Sequence, residues 1–286
     1  MNDIHRVGIV GCGVMGSGIA DVCARAGLDV RVAVSGGASL ARGRQRLLAS
    51  LDHGLRKAMI TEVERSDALE RVTFTTDLGD LGDRQIVFET APENELTKLD
   101  LFGALDKIVE DPDAILASNT SSIPIIRMAK ATERPGQVIG VHFFNPVPAL
   151  QLVELIESLL TEDETRARAE AFVVGTLGKQ VIRSPDRAGF VINALLIPYL
   201  LSAIRMVETG FATADVIDKG MVLGCSHPMG PLKLADLIGL DTVASIAGAL
   251  YEEFKDQQYS PPPMLLRMVE GGLLGKKTGR GFHTYP

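Results

Sequence analysis

Residues 7–16 read Val7-Gly8-Ile9-Val10-Gly11-Cys12-Gly13-Val14-Met15-Gly16, an apolar run of strand character that passes straight into a G-x-G-x-x-G spacing and then an amphipathic stretch. Each glycine has its own duty in such a turn. Gly11 permits the tight bend, Gly13 lets a pyrophosphate approach the backbone, and Gly16 lets the next helix lie close to the strand. The N–H groups that open that helix, at Val14 and Met15, then face a phosphate. The glycine spacing alone is weak. With a strand before it, a helix after it and a place at the start of the sequence, it predicts a dinucleotide-binding turn.

Outward from this turn, short β-branched runs alternate with longer amphipathic stretches, the pattern of βαβ units and a parallel sheet covered on both faces. Strands are predicted at 7–10, 30–34, 72–75, 86–89, 115–117, 138–143 and 150–156, with a last one at 179–183. Helices are predicted at 15–26, 40–58 and 95–109, with further helical turns at 62–70. The segment Ser184-Pro185-Asp186-Arg187-Ala188-Gly189 carries turn-forming and helix-starting residues, and the boundary between two domains is placed there. Beyond it only helical patterns remain, at 190–208, 214–223, 232–238, 242–254 and 264–269. The expected fold is therefore α/β: a Rossmann-like doubly wound sheet over residues 1–185, followed by an all-α domain over 186–286.

Composition narrows the function classes. With 46% hydrophobic and 23% charged residues the 286-residue chain is of globular type, and its net charge of −7 and pI near 5.3 argue against a nucleic-acid partner, which needs clustered positive charge. Cys12, Cys23 and Cys225 have no metal-ligand or redox-pair spacing and are odd in number, so no metal and a reducing, cytoplasmic setting are expected. The first strand begins too near Met1 to leave room for a signal peptide. The apolar stretch 194–207 is broken by Pro198, Ser202 and Arg205 and is expected to be a buried helix, with no membrane span.

One element of the dinucleotide pattern is absent. The second strand of an NAD-binding unit usually ends in Asp or Glu, which bonds the adenosine ribose 2′-hydroxyl; here it ends Val34-Ser35-Gly36-Gly37. The carboxylate that repels a 2′-phosphate is thus missing, and Arg42 or Arg44 stands near enough in sequence to approach one. Either arginine alone is equally well explained as a solvated helix residue. The cofactor is read as NAD(H) or NADP(H).

Polar groups gather at later strand ends: Ser118-Asn119-Thr120-Ser121-Ser122, His142-Phe143-Phe144-Asn145-Pro146 and Leu152-Val153-Glu154. Singly they are a common turn, a structural histidine and a solvated carboxylate. In a doubly wound sheet, however, strand C-termini border the ligand crevice, so Asn119, Ser121 and His142 are expected to converge beside a bound nicotinamide. Imidazole titrates near neutral pH and suits a proton acceptor or donor there, and a carboxylate such as Glu154 would orient it.

Several segments resemble the 3-hydroxyacyl-CoA dehydrogenases: the glycine turn, Glu89-Thr90-Ala91-Pro92-Glu93-Asn94, the Ser-Asn-Thr-Ser-Ser run, His-Phe-Phe-Asn-Pro-Val-Pro from His142, Gly189-Phe190-Val191-Ile192-Asn193, His227-Pro228-Met229-Gly230-Pro231, and Leu274-Gly275-Lys276-Lys277-Thr278-Gly279-Arg280-Gly281-Phe282. They cover nearly the whole chain in order, and the likeness is greatest to the actinobacterial 3-hydroxybutyryl-CoA branch. The resemblance implies an acyl-CoA substrate bound in the cleft between the two domains, and a homodimer formed through the helical domain. It assigns His142 as acid/base, Glu154 as its orienting carboxylate, and Ser121 and Asn193 as holders of the substrate oxygen. Glu93 and Lys98 fall near the nicotinamide ribose with Asn119 beside them, and Lys57 in the CoA-contacting region. Thr90-Ala91-Pro92 stands where the family more often has small aliphatic residues, so loop geometry near the ribose is expected to differ.

Three alternatives remain. The same chemistry could act on an acyl-carrier-protein thioester with NADPH. A different β-hydroxyacid dehydrogenase would use a lysine from the helical domain, but none occurs from Gly189 to Gly210. A non-catalytic dinucleotide-binding scaffold would show a broken His/Glu pair or lack the substrate serine, and neither is seen.

Overall fold

The computed structural model describes residues 4–285. The chain forms two compact units, the first ending at Asp186 and the second beginning at Arg187.

In the first unit the strands are β1 (Arg6–Val10), β2 (Asp29–Ala33), β3 (Val72–Thr75), β4 (Ile86–Glu89), β5 (Ile115–Ser118), β6 (Val138–Phe143), β7 (Leu152–Glu157) and β8 (Gln180–Pro185). The helices are α1 (Val14–Arg25), α2 (Gly37–Arg56), α3 (Glu62–Glu70), α4 (Glu95–Ile108), α5 (Ile125–Ala129) and α6 (Asp163–Ala171). One sheet runs in the order β3-β2-β1-β4-β5-β6-β7-β8. Strands β1 to β6 are parallel, whereas β7 runs antiparallel to β6 and β8 follows β7 in parallel. The expected parallel sheet thus holds except at the single antiparallel pairing of β6 with β7. The connection across residues 144–151 is shorter than the dozen or so residues a parallel crossover needs, so the chain must turn back.

The central strands β4, β5 and β6 are buried at every position, as expected of strands covered on both faces. Their apolar side chains join those of β1 and β2, Ile19, Cys23 and Ala24 of α1, and Leu47 and Leu51 of α2 in one core. Strand order reverses between β1 and β4, which opens a crevice at the C-terminal ends of those strands.

Helices α5 and α6 were not foreseen from the sequence. Helix α5 has only five residues, and it starts where the Asp186 carboxylate accepts the N–H groups of Ile125 and Ile126 at 2.8 and 2.7 Å. Helix α6 buries only Thr165 and Ala169, so it carries no apolar stripe for a period of 3.6 to reveal.

Asp21 on α1 is 1% exposed, hydrogen-bonded by the Ser50 hydroxyl, and has Arg25 at 3.7 Å, yet its Oδ1 has no hydrogen bond. Burial pushes its carboxyl above the usual range, and Ser50 and Arg25 offset this only in part. A raised folded-state pKa means stability present at low pH and lost as pH climbs from the unfolded value through the folded one. Asp21→Asn should therefore stabilise the protein increasingly from pH 4 to pH 7.5. Thermal melts are expected to show a gain of about 2 °C or more at the upper end, roughly 1 kcal/mol for a chain of this size. A loss at pH 7.5 would contradict this account of Asp21.

The second unit consists of α7 (Ile192–Glu208), α8 (Ala214–Cys225), α9 (Pro231–Ile238), α10 (Leu240–Phe254) and α11 (Pro263–Glu270) around its own core. Helix α7 starts two residues later than the apolar pattern suggests, because Gly189 and Phe190 take left-handed backbone angles, φ +74° and +49°. Helices α9 and α10 meet at 95° across Gly239, φ +103°. The end of the chain folds back on α9, where the buried Asp236 carboxylate accepts the N–H groups of Phe282 and His283 and the Tyr285 hydroxyl. Isolated β-bridges join Gly275 to Arg280 and Arg280 to Thr284. Among the described residues no single helix is long and apolar enough to cross a membrane.

Candidate active site at the strand ends

The glycine turn joins β1 to α1. Gly11 has φ +92°, where an L side chain is strained, and its N–H bonds the Ala33 carbonyl at 2.8 Å. The Thr90 hydroxyl donates to the carbonyls of Val10 and Gly11 at 3.0 Å each. The departure at Thr90 thus has a local consequence: it ties the end of β4 to the turn. A Cβ on Gly16 would lie 2.3 Å from the Gly11 carbonyl oxygen, while one on Gly13 would meet no protein atom within 4 Å. Helix α1 has no acidic residue in its first turn and no side-chain cap, so its first N–H groups point at the crevice with their partial positive charge uncompensated. Beside them lies a cavity of about 720 Å³, lined by Gly11, Gly13, Val14, Met15, Val34 and Ser35 among others. Open space over Gly13, close packing at Gly16 and uncapped amides together suit a dinucleotide phosphate. Burial pushes the Cys12 thiol up to about 11 despite Arg46 nearby, so this residue is a neutral thiol at physiological pH.

At the far side of the cavity Val34 is 8% exposed. Ser35 and Ser39 share a hydrogen bond of 3.3 Å between their hydroxyls, and Arg42 donates to Ser39 Oγ at 3.2 Å. Arg42 lines the cavity. Arg44, the other arginine singled out in the sequence, instead lies over the Phe74 ring at 5.8 Å. Arg46, which sequence reasoning missed, also lines the cavity and donates to the Cys12 carbonyl at 3.3 Å. Helical spacing from Arg42 would have found it.

Between the ends of β4 and β5 lies a buried charge network. Lys98, 1% exposed, donates to both Glu89 oxygens at 2.8 Å and lies 3.3 Å from Glu93 Oε2. Glu89, which the sequence analysis did not single out as a site residue, is fully buried and also accepts from Ser118 Oγ and the Ala91 N–H at 2.7 Å each. Glu93 Oε1 accepts from the Thr120 hydroxyl, Ser122 Oγ at 3.1 Å and the Ser121 N–H at 3.2 Å. Burial works to raise the Glu93 carboxyl, but Lys98 and the two hydroxyls outweigh it and hold it below the usual range. Lys98 thus braces the strand ends, and Glu93 fixes the serine turn. Lys98→Met should leave Glu89 buried without its cation. A loss of about 3–5 kcal/mol is expected, read as a lower urea midpoint; an unchanged midpoint would remove the network from the stability of this unit.

Strands β6 and β7 are in register with His142 opposite Glu154, which places both side chains on one face of the sheet. His142 Nδ1 lies 2.7 Å from Glu154 Oε2; the residues are 7% and 0% exposed. Because β7 runs antiparallel, its early residue Glu154 reaches the same edge as the late residue His142. The Phe144 ring packs on the imidazole, with centroids 4.6 Å apart. Asn119 Oδ1 accepts the Phe143 N–H at 2.8 Å, which fastens the end of β5 to the backbone next to His142. Ser121 is half-buried, and its hydroxyl makes no hydrogen bond to another described residue.

The structure thus brings Glu93, Lys98, Asn119, Ser121, His142 and Glu154 to the C-terminal edge of the parallel strands, the edge that also carries the glycine turn. Asn193 lies in the first turn of α7 in the second unit. Lys57 is exposed at the C-terminal end of α2, about 30 Å along the helix axis from its start at 1.5 Å per residue. Among the described residues no group of three or more His, Cys, Asp or Glu side chains could hold a metal ion. An imidazole braced by a carboxylate, beside a phosphate-binding turn, can exchange a proton with a ligand while a second reactant is held in the same crevice.

Comparison with known proteins agrees with this chemistry. The NAD-binding domain of 3-hydroxyacyl-CoA dehydrogenase matches residues 6–187, and the C-terminal domain of the same family matches residues 189–285. A 3-hydroxybutyryl-CoA dehydrogenase of Mycobacterium tuberculosis is 58% identical over 282 residues, 99% of each chain. The crystal structure of M. tuberculosis FadB2 superimposes with a TM-score of 0.98 at 58% identity, covering 100% of both chains. That of (S)-3-hydroxybutyryl-CoA dehydrogenase PaaH1 from Ralstonia eutropha gives 0.92 at 44% identity, covering 99% of this chain and 100% of that one.

Proposed function

The chain belongs to the 3-hydroxyacyl-CoA dehydrogenase family, and we propose that it interconverts 3-hydroxybutyryl-CoA and acetoacetyl-CoA with His142 as its acid/base. It is an oxidoreductase of the 3-hydroxyacyl-CoA dehydrogenase type, and its cofactor is a nicotinamide dinucleotide, NAD(H) or NADP(H). The observation that carries the assignment of roles is the 2.7 Å contact between His142 Nδ1 and Glu154 at the edge of the crevice.

In the oxidising direction His142 Nε2 takes the proton of the 3-hydroxyl group, and in the reducing direction it returns a proton to the ketone oxygen. Glu154, facing Nδ1, holds the tautomer whose proton sits on Nδ1 and stabilises the imidazolium that forms during the transfer. A nicotinamide dinucleotide held at the glycine turn would supply the hydride acceptor or donor for C3 of the substrate. Asn119 fixes the backbone beside His142. Ser121 offers its hydroxyl to the substrate oxygen from a turn held by Glu93, and Asn193 stands as the family's other donor to that oxygen. Lys57 is left as a contact for the distal part of the thioester.

Exposed apolar side chains on the second unit, Leu195, Phe211 and Leu223 at 72%, 78% and 72%, favour a homodimer formed through that unit. The three free cysteines accord with a reducing compartment such as the cytoplasm.

The test is steady-state reduction of acetoacetyl-CoA, with acetoacetyl-acyl carrier protein in parallel. Preferred turnover of the CoA thioester is expected. Turnover of the carrier-protein thioester alone would overturn the assigned substrate. Dinucleotide binding without turnover of either would return the scaffold reading.

A further inference from the structure

Within that function, the geometry points to NADP(H) as the dinucleotide this chain selects, with Ser35, Ser39 and Arg42 seating the adenosine ribose 2′-phosphate and Arg46 adding a second positive charge. This rests on the dinucleotide and reaction assigned above. The end of β2 is where a dinucleotide site tells a ribose hydroxyl from a ribose phosphate. A carboxylate there would accept from the 2′-hydroxyl and repel a dianion. The chain has Val34, an apolar side chain on the cavity wall that does neither.

In place of the acid stands a relay of donors. Ser35 and Ser39 lie 3.3 Å apart through their hydroxyls, and Arg42 reaches Ser39 Oγ at 3.2 Å. Ser39, Arg42 and Arg46 follow one another at i, i+3 and i+7 on α2, so they share one face, and all three line the cavity. The face that adjoins this one around the helix is buried, through Gly43, Leu47 and Leu51. The two guanidinium groups are therefore held toward the cavity rim by the packing of their own helix.

Charge balance favours a ligand anion here. Among the described residues neither Arg42 nor Arg46 is paired with a carboxylate, although the chain as a whole carries a net charge of −7. The first turn of α2 likewise has no acidic residue and no side-chain cap, so its N–H groups add positive potential to the same corner. A 2′-phosphate carries close to two negative charges and three acceptor oxygens, enough to take up both hydroxyls and the guanidinium by charge-assisted hydrogen bonds. A 2′-hydroxyl would leave the cations uncompensated.

The test uses the full-length protein and two probes, 2′,5′-ADP and 5′-AMP, titrated calorimetrically, together with acetoacetyl-CoA reduction by NADPH and NADH. We expect 2′,5′-ADP to bind at least about tenfold more tightly than 5′-AMP, the scale of one charge-assisted hydrogen bond. The ratio of kcat/KM for NADPH over NADH should exceed one and fall about tenfold in Arg42→Gln; Val34→Asp should lower it further by restoring the acid. Equal affinity for the two nucleotides, with a cofactor ratio that Arg42→Gln does not move, overturns the phosphate seat. Turnover with NADH alone overturns it too, while leaving the reaction assignment standing. If neither cofactor supports turnover, the reaction assignment fails, and the nucleotide affinities alone decide this inference.

Discussion

Replacing His142 by alanine is expected to lower kcat for acetoacetyl-CoA reduction by about 10³-fold, within the 10²–10⁴ range that positioned acid–base catalysis supplies. No other imidazole lies on the β5–β7 strand ends, and the remaining strand-end groups are hydroxyls, an amide and paired carboxylates. Dinucleotide affinity should stay within a few-fold of the wild type, since the glycine turn and the adenosine cavity do not include His142. Removing the imidazole also takes away the group that lies 2.7 Å from the fully buried Glu154, so a fall in melting temperature is expected alongside the kinetic loss. Glu154→Gln separates the two effects. It keeps the volume and one hydrogen-bonding oxygen, but it cannot stabilise the imidazolium; a smaller kcat loss with KM little changed is expected. Near-normal turnover in His142→Ala would remove this residue from the chemistry.

Gly16→Val should abolish dinucleotide binding, a loss of more than about 100-fold in affinity, equal to some 2.7 kcal/mol. Its Cβ would stand 2.3 Å from the Gly11 carbonyl oxygen and 2.5 Å from Thr90 Oγ1. Neither neighbour can yield: one is backbone, and the other is held by its bonds to Val10 and Gly11. Helix α1 must then move off the strand and take its N-terminal amides with it. Gly13→Ala is the informative contrast. Its Cβ meets no protein atom within 4 Å, so the melting temperature of the free protein should be unchanged. The methyl group nevertheless enters the space reserved for the pyrophosphate, so affinity should fall. Equal affinity in Gly13→Ala would show that the dinucleotide approaches the turn from elsewhere.

Much of this was legible in the sequence because it is carried by local pattern. The strand-glycine-helix transition at residues 7–16 declares the first βαβ unit, and the loss of alternation after residue 185 marks the helical part. Polar clusters at predicted strand ends brought His142, Asn119 and Ser121 to one edge by topology alone. The reversal at β7 was not readable from Leu152-Val153-Glu154, whose apolar run has the same period in either direction; only the short connection before it limits the choice. Glu89 escaped notice because a buried acid is usually absent from a central strand, and its partner Lys98 sits nine residues on in a helix whose packing sequence alone does not orient. Arg44 and Arg42 are both near the β2 end in sequence, but helical phase turns the first onto Phe74 and the second into the cavity.

The central claim is that a hydride passes directly between the dinucleotide held by the glycine turn and C3 of the acyl thioester, with His142 handling the proton. It is tested most directly by incubating the protein with acetoacetyl-CoA and reduced dinucleotide deuterated at the transferable C4 position, and locating the label in the product by mass spectrometry. One deuterium at C3 of 3-hydroxybutyryl-CoA for each dinucleotide oxidised is the result the account predicts. Product without deuterium at C3, or dinucleotide bound with no product formed, would contradict it.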